Sequence, residues 1–289
     1  MVDSYIPKTL QEALELRSEQ GAIPLAGGTD LMVRYRYESG AVPEYPGAVM
    51  LISRMREIGG IESRGGELHI GAAATMNEAL AHPDVPAVLK EALRTVAARG
   101  LRNVATLAGN ICNASPAADS VVALYILDAQ LVLQSIDGAR TVPIEEFITG
   151  PGRTDLGRKE LLTDIILPES SEKSRETVHL FKKVGTRKAN ALSKLALAAD
   201  GRVADGRVEQ VRMAVNAVAP TVIRSRELER SLEGLSLDEA RGRVEELLDG
   251  YGELIRPIDD QRSTARYRAK VARGLLRHFL QEYLLKGAR

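Results

Sequence analysis

The sequence predicts an α+β protein in three pieces. Two α/β pieces, residues 1–57 and 58–172, precede a smaller α+β C-terminal domain, residues 173–289, with a three-stranded sheet and packed helices. Three observations predict it. An apolar, strand-like run stops abruptly at Gly27-Gly28. A second passage from apolar residues into glycine follows about eighty residues later, at Leu107-Ala108-Gly109-Asn110. Beyond residue 173 the rhythm changes to three strand candidates and then to sustained helical periodicity.

Taken in order, Leu10, Ala13 and Leu14 mark a short helix ending near Gly21. Runs 22–26 and 48–52 read as strands, and Leu25, Leu31, Val33 and Val49 are expected to share a small core. Gly59-Gly60 opens the second piece, with a strand at 67–71 and a short helix capped by Thr75 and running to Leu80. Pro86 begins a stronger helix with Val88, Leu89, Ala92, Leu93 and Val96 on one face; proline in a first turn gives up no intrahelical bond. After the second glycine stretch come a buried helix at 120–127 and a strand at 130–136, and Val142-Pro143-Ile144 and the run 161–167 complete the piece. In the third piece the strand candidates are 177–184, 195–203 and 208–218, with Asp200-Gly201 and Asp205-Gly206 as hairpin signals. Ser236 with Glu239 matches a capping box, and a last helix from about Thr264 puts Val271, Leu275, Leu276 and Phe279 on one face.

Composition narrows the function classes. The 289 residues carry 39 Lys+Arg against 39 Asp+Glu, so no basic excess favours nucleic acid and no polybasic run favours a membrane surface. No apolar run approaches the ~20 residues of a membrane span, and the first residues lack the pattern of a signal peptide; the expected location is cytoplasmic. The single cysteine, Cys112, excludes an internal disulfide and an iron–sulfur cluster held by this chain alone. His69, His82, His179 and His278 lack metal-ligand spacing, so no metal site is expected.

The two glycine stretches carry the chemistry. Successive N–H groups in a glycine turn can converge on an anion, and backbone without Cβ atoms can approach a pyrophosphate closely. Thr29 adds a hydroxyl and Asp30 an acceptor for ribose or ribityl hydroxyls; Thr106, Asn110 and Ser115 add neutral donors, and Asp119 stands further along. Each turn alone is ordinarily a plain loop. The three-glycine dinucleotide fingerprint and the P-loop are both absent. The residues by themselves therefore support an anion or dinucleotide nest and no more.

The ordered motifs are more specific. Pro24-Leu25-Ala26-Gly27-Gly28-Thr29-Asp30-Leu31 resembles the first flavin loop of the FAD-binding medium subunit of the xanthine dehydrogenase family of molybdenum hydroxylases. Arg102-Asn103-Val104-Ala105-Thr106-Leu107-Ala108-Gly109-Asn110, continued by Asn113-Ala114-Ser115-Pro116-Ala117-Ala118-Asp119, resembles the second. Thr149-Gly150-Pro151-Gly152, Leu161-Leu162 before Pro168, Lys183-Val184-Gly185-Thr186-Arg187 and Arg266-Tyr267-Arg268 follow in family order, so the resemblance spans essentially the whole chain.

The resemblance implies a two-part FAD-binding region of the vanillyl-alcohol oxidase-like (PCMH) type, then a C-terminal flavoprotein domain. It implies that Leu25, Ala26, Gly27, Gly28, Thr29, Asp30 and Leu31 wrap the pyrophosphate and ribityl region, and that Val96 and Ala97 lie against the cofactor. Thr106, Gly109 and Asn110 would supply donors to the diphosphate, Asp119 would bind polar groups of FAD, Leu162 would offer backbone contacts to the adenine end, and Lys183 would approach from the third piece. The implied function is electron transfer from [2Fe–2S] clusters on a small subunit to NAD+ or another acceptor, with a molybdenum cofactor on a large subunit. No catalytic side chain is expected on this chain. A free-standing FAD oxidase of the vanillyl-alcohol type and a non-catalytic assembly module are the alternatives.

Two departures stand out. Ala108 occupies a position where the family commonly has glycine; a positive φ there would cost on the order of 1 kcal/mol. Neither loop contains histidine, so the FAD is expected to be non-covalent. Cys112 reads as a small packing residue rather than a nucleophile. Tyr35 and Tyr37 either stack near the flavin or pack at the surface, and Arg34 and Arg36 read as solvated or at a subunit contact.

Overall fold

Helix α1, Leu10–Gln20, begins where the Thr9 hydroxyl accepts from the Glu12 N–H and ends at Gly21, whose φ of 60° is left-handed. It belongs to a computed structural model that describes residues 3–168, 177–187 and 190–286. The chain divides into two units. The first comprises Met1–Val85, Ala97–Ala114 and Asp128–Glu169; the second comprises Pro86–Val96, Ser115–Leu127 and Ser170–Arg289.

In the first unit, strands β1 (Ser4–Tyr5), β2 (Ile23–Leu25) and β3 (Val49–Leu51) form a parallel sheet in the order β1-β3-β2. Its core is Ala13, Leu14, Ala22, Val49, Met50 and Ile52. Leu25 and Leu31 are only half-buried and Val33 is 64% exposed, so the expected shared core of those residues with Val49 does not form. The reason is local. The one-turn helix α2, Leu31–Arg34, buries no residue at all.

A five-stranded antiparallel sheet completes this unit in the order β4-β5-β10-β6-β7, from Ile61–Arg64, Glu67–Gly71, Leu161–Leu167, Gln130–Ser135 and Gly138–Pro143. Strands β8 (Ile148–Gly150) and β9 (Arg153–Thr154) make a small ribbon. Four short helices connect these strands: α3 (Met76–Ala81), α5 (Arg99–Arg102), α6 (Leu107–Asn113) and α8 (Ile144–Phe147). Thr75 and Glu78 close a capping box at α3, the boundary the threonine predicted.

The second unit holds a four-stranded antiparallel sheet in chain order: β11 (Thr177–Val184), β12 (Leu195–Ala204), β13 (Arg207–Asn216) and β14 (Ile223–Arg224). The fourth strand, of two residues, is too short to show a period, so the sequence pattern predicts only three. Asp205-Gly206 does form the hairpin, with φ of 49° and 71°. Asp200-Gly201 does not. Asp200 lies inside β12, 2.7 Å from the Arg212 Nε, and a Cβ on Gly201 would sit 2.6 Å from a Leu284 methyl. The glycine there serves packing, not a turn.

Helices α4 (Ala87–Thr95) and α7 (Asp119–Ile126) also belong to this unit, although both lie within residues 58–172 of the chain. Every residue of α7 is buried. Helix α9, Arg226–Arg230, then α10, Leu237–Leu254, and α11, Ala265–Phe279, with a π-turn at Leu280–Leu284, pack on the sheet. Ser236 and Glu239 form the second capping box. Tyr251 is buried and donates its hydroxyl to the Met213 carbonyl at 3.0 Å, which satisfies the one polar atom it brings inside.

Candidate functional site

The first glycine stretch leaves the carboxyl end of β2, where parallel α/β sheets place their ligand crevices. At Gly27 the requirement for glycine is steric. A Cβ there would lie 2.0 Å from the Val104 carbonyl oxygen and 2.5 Å from its carbon. The backbone of the first stretch is thus pressed directly onto that of the second. At Gly28 the requirement is conformational, because its φ is +65°. That turn starts α2: the Gly28 carbonyl accepts from Met32 N–H and the Asp30 carbonyl from Arg34 N–H, both at 2.9 Å. Asp30 stands at the N-cap of α2 but makes no capping bond with its exposed side chain, which leaves the carboxylate outward.

The second stretch is held by α3 and by its own cap. Met76 N–H donates to the Ala105 carbonyl at 2.8 Å, and Asn77 Nδ2 donates to Asn103 Oδ1. Thr106 is buried and caps α6, its Oγ1 accepting from Gly109 N–H at 3.0 Å. That leaves the Thr106 hydroxyl proton to donate elsewhere. A Cβ at Gly109 would meet Thr106 Oγ1 at 3.1 Å, so this glycine also keeps a tight cap. Ala108 lies inside α6 and is absent from the positive-φ residues; alanine fits there without strain. Arg34 Nη2 donates to Asn113 Oδ1 at 2.5 Å, a second tie between the stretches. Leu25–Leu31, Ala97, Thr106, Gly109, Asn110 and Leu162 all belong to the first unit.

Leu162 sits in β10 beside a bulge at Thr163. The ladder to β5 covers Asp164 to Leu167 only, so Leu161 and Leu162 pair with β6 alone. Leu162 itself is buried, just beyond the end of the β5 ladder. Burial pushes the Cys112 thiol up to about 12, with Arg17 opposing, so it is no nucleophile at neutral pH. Tyr35 packs edge-on against Tyr45 at 5.5 Å, while Tyr37 is 85% exposed.

Val96, Ser115, Asp119 and Lys183 belong to the second unit, where two of them meet. The Lys183 ammonium lies 2.7 Å from Asp119 Oδ2 and donates to the Thr95 carbonyl at 3.0 Å; both side chains are 7% exposed. Ser193 donates to Asp119 Oδ1 at 2.5 Å. Burial raises the Asp119 pKa, opposed first by the charge of Lys183 and then by hydrogen bonds from Lys183, Ser193 and Asn216. Lys183 has spent two of its three N–H donors and keeps one. Val96 is the C-cap of α4, and Ala97 beside it is left-handed at φ 45°. Ser115 starts a turn, its Oγ accepting from Ala117 N–H at 3.3 Å.

Sequence reasoning missed Val104, Thr95 and Ser193. Val104 and Thr95 act through carbonyl oxygens, which no side-chain pattern reports. Ser193 is a buried serine just before β12, and its burial signals a committed hydroxyl only once the strand is placed.

Comparison with known proteins bears on the whole chain. Residues 1–170 match the family described as FAD binding domain in molybdopterin dehydrogenase, and residues 179–283 match the CO dehydrogenase flavoprotein C-terminal domain. The chain is 32% identical over 236 residues to the xanthine dehydrogenase FAD-binding subunit of Escherichia coli, covering 80% of this chain and 78% of that one. It is 31% identical over 280 residues to the glyceraldehyde dehydrogenase medium chain of Sulfolobus acidocaldarius, covering 94% and 95%. A solved structure of carbon monoxide dehydrogenase from Hydrogenophaga pseudoflava superposes with a TM-score of 0.84 at 28% identity, covering 96% of this chain and 95% of that one.

Proposed function

The chain belongs to the FAD-binding medium subunits of the xanthine dehydrogenase and CO dehydrogenase family, oxidoreductase flavoproteins, and on that premise we propose that it is the electron-transfer subunit of a molybdenum-containing dehydrogenase. In this reading it takes electrons from [2Fe–2S] clusters on a small partner subunit and passes them to NAD+ or another acceptor. The organic substrate is oxidised on a large molybdopterin subunit. The complex works in the cytoplasm; among the described residues no helix is long and apolar enough to cross a membrane.

One observation carries the flavin reading: the contact of Gly27 with the Val104 carbonyl, which only a residue without Cβ permits. In this reading the two closely packed stretches would turn N–H groups and small residues toward a pyrophosphate. The N–H groups of Gly27, Gly28 and Thr29, with Ala26, Leu25 and Leu31 around them, would hold the diphosphate. The outward Asp30 carboxylate would accept from a sugar hydroxyl. Thr106 would donate its free hydroxyl proton, Asn110 its amide and Ser115 its hydroxyl, while Gly109 keeps the cap of α6 tight. Leu162 would meet the adenine through its backbone, and Val96 with Ala97 would line the cofactor.

Bound FAD supplies the redox chemistry, taking electrons singly and releasing them as a hydride. Lys183 would direct its remaining N–H to the ring, and a fixed cation there stabilises negative charge that develops on reduction. Asp119 and Ser193 hold that ammonium in place. Residues 1–57 and 58–172 would bind the cofactor and 173–289 would add Lys183. The test is the visible spectrum of the purified chain after incubation with FAD and gel filtration. Retained flavin absorbance that denaturation releases into solution supports non-covalent FAD; a colourless chain that takes up none overturns the reading.

A further inference from the structure

Asn216 belongs to neither glycine stretch, yet its side chain reaches the Asp119–Lys183 pair. It is the last residue of β13, it is fully buried, and it stands opposite Ala196 of β12 in the ladder. Its Oδ1 accepts from the Ala196 N–H at 2.6 Å, and its Nδ2 donates to the Ala118 carbonyl at 3.2 Å. Only the oxygen can meet an N–H and only the nitrogen a carbonyl, so the amide has one orientation. The remaining N–H of Nδ2 goes to Asp119, the first residue of α7. The next peptide fastens this end of the strand. Ala217 is left-handed at φ 55°, and its N–H donates to the Pro116 carbonyl at 2.8 Å.

Asp119 thus receives Lys183 on Oδ2, Ser193 on Oδ1 and a further bond from Asn216. It also lies in the first turn of α7, where the helix dipole favours negative charge. A clamp between β12, β13 and α7 needs only the bonds to Ala196 and Ala118. The third bond of Asn216 goes instead to an ion pair, and the cation of that pair keeps one N–H uncommitted within it. A buried carboxylate deprived of a donor has unmet lone pairs and draws the ammonium and its protons toward itself. The donors on Asp119 therefore decide how much of the Lys183 charge is left to face outward from the pair.

We propose that Asn216, together with Ser193, is a positioning residue for the Lys183 ammonium: the two fix Asp119 as its counter-ion, aim its remaining N–H, and so raise the reduction potential of bound FAD. The inference rests on the flavin reading of Lys183. A cation held at the ring favours the reduced cofactor over the oxidised one, and neither Asn216 nor Ser193 needs to touch the ring to change that preference.

The experiment is a reductive titration of the FAD-loaded full chain with dithionite, against dyes of known potential. Each FAD takes two electrons from dithionite and one proton from water, which leaves one negative charge on the ring. Ser193→Ala and Asn216→Ala should each lower the ratio of affinities for reduced over oxidised FAD about tenfold, which for a two-electron couple is about 30 mV. Tyr251→Phe is the control for a structural role. It removes another buried hydroxyl of the same unit, the donor to the Met213 carbonyl, and should lower the Tm while leaving the potential where it is. A change in the ratio of less than about twofold in either alanine variant, with FAD bound, overturns the proposal and leaves the flavin reading standing. An equal fall in Tyr251→Phe overturns it too, because the potential would then follow stability alone. If Asn216→Ala does not fold, Ser193→Ala decides by the same criterion. A parent chain that takes up no FAD overturns the flavin reading, and this inference with it.

Discussion

Replacing Gly27 with alanine puts one methyl group where the Val104 carbonyl stands. The Cβ would lie 2.0 Å from that oxygen, against the 3.0 Å that real Cβ contacts respect, so the two stretches must part by about 1 Å. The neighbour is backbone, not the end of a flexible side chain, and Ala105 Cα stands 2.9 Å away behind it. Overpacking of this kind costs about 1–3 kcal/mol, and the absence of any soft neighbour places Gly27→Ala at the upper end. If the diphosphate is held by both stretches at once, about 3 kcal/mol raises the FAD Kd by roughly two orders of magnitude. Gly28→Ala is the control of the same chemistry. It must hold an alanine at φ +65°, at about 1 kcal/mol, but its methyl meets only the flexible ends of Leu25 and Met32 at 3.0 Å. Its FAD Kd should rise by about fivefold to tenfold. The assay is FAD titration of the apoprotein followed by flavin fluorescence, with the Tm of each apoprotein alongside. Equal Kd values for the two variants, or a Gly27→Ala Kd within about threefold of the parent, would refute the reasoning.

Asp119→Ala should lower flavin retention more than Asp84→Ala, because Asp119 holds Lys183 whereas Asp84 is exposed and bonded to Ser63 at 2.6 Å; equal A450/A280 ratios after gel filtration sink the assignment. Lys183→Met strands a buried carboxylate and should cost about 3–5 kcal/mol by urea unfolding at neutral pH. The variant also fixes a sign. Burial already raises the folded pKa of Asp119, and losing Lys183 raises it further, so stability is fullest below the unfolded pKa and falls as pH climbs through the folded one. The deficit of Lys183→Met against the parent should accordingly widen as pH rises above the unfolded value of Asp119, and a constant deficit contradicts it. Cys112, with its thiol at about 12 against 9.0 unperturbed, should be alkylated by iodoacetamide at pH 8 about a thousandfold more slowly in the native chain than in urea; rates within tenfold would show an accessible thiolate.

The parts of the fold written in local chemistry were legible in the sequence. Capping boxes at Thr75 and Ser236, the Gly21 stop and the amphipathic face from Val88 to Leu93 each depend on residues within one or two helical turns, and each stands where the pattern puts it. What depends on distant partners was not. Asp200-Gly201 has the composition of a turn, but Arg212 across the ladder and Leu284 from the chain's last turn decide that it is strand. Val33 follows an apolar rhythm yet lies exposed, because α2 is a single turn that buries none of its residues.

The candidate site divides in the same way, and Ala108 shows why. Comparison with a family pattern marks it as the doubtful residue, since a glycine is missing. Geometry moves the demand elsewhere. Position 108 is ordinary helix, while the steric and conformational need for glycine falls on Gly27 and Gly28. Alanine does adopt the left-handed region at Ala97, Ala114 and Ala217, each at about 1 kcal/mol, positions that no motif singles out as backbone specials. A glycine pattern therefore reports where backbone approaches backbone only when the partner is known. Here the partner is a carbonyl at Val104, the middle of the second stretch, so each motif explains the other's composition. That mutual requirement is a physical reason for the two stretches to occur together.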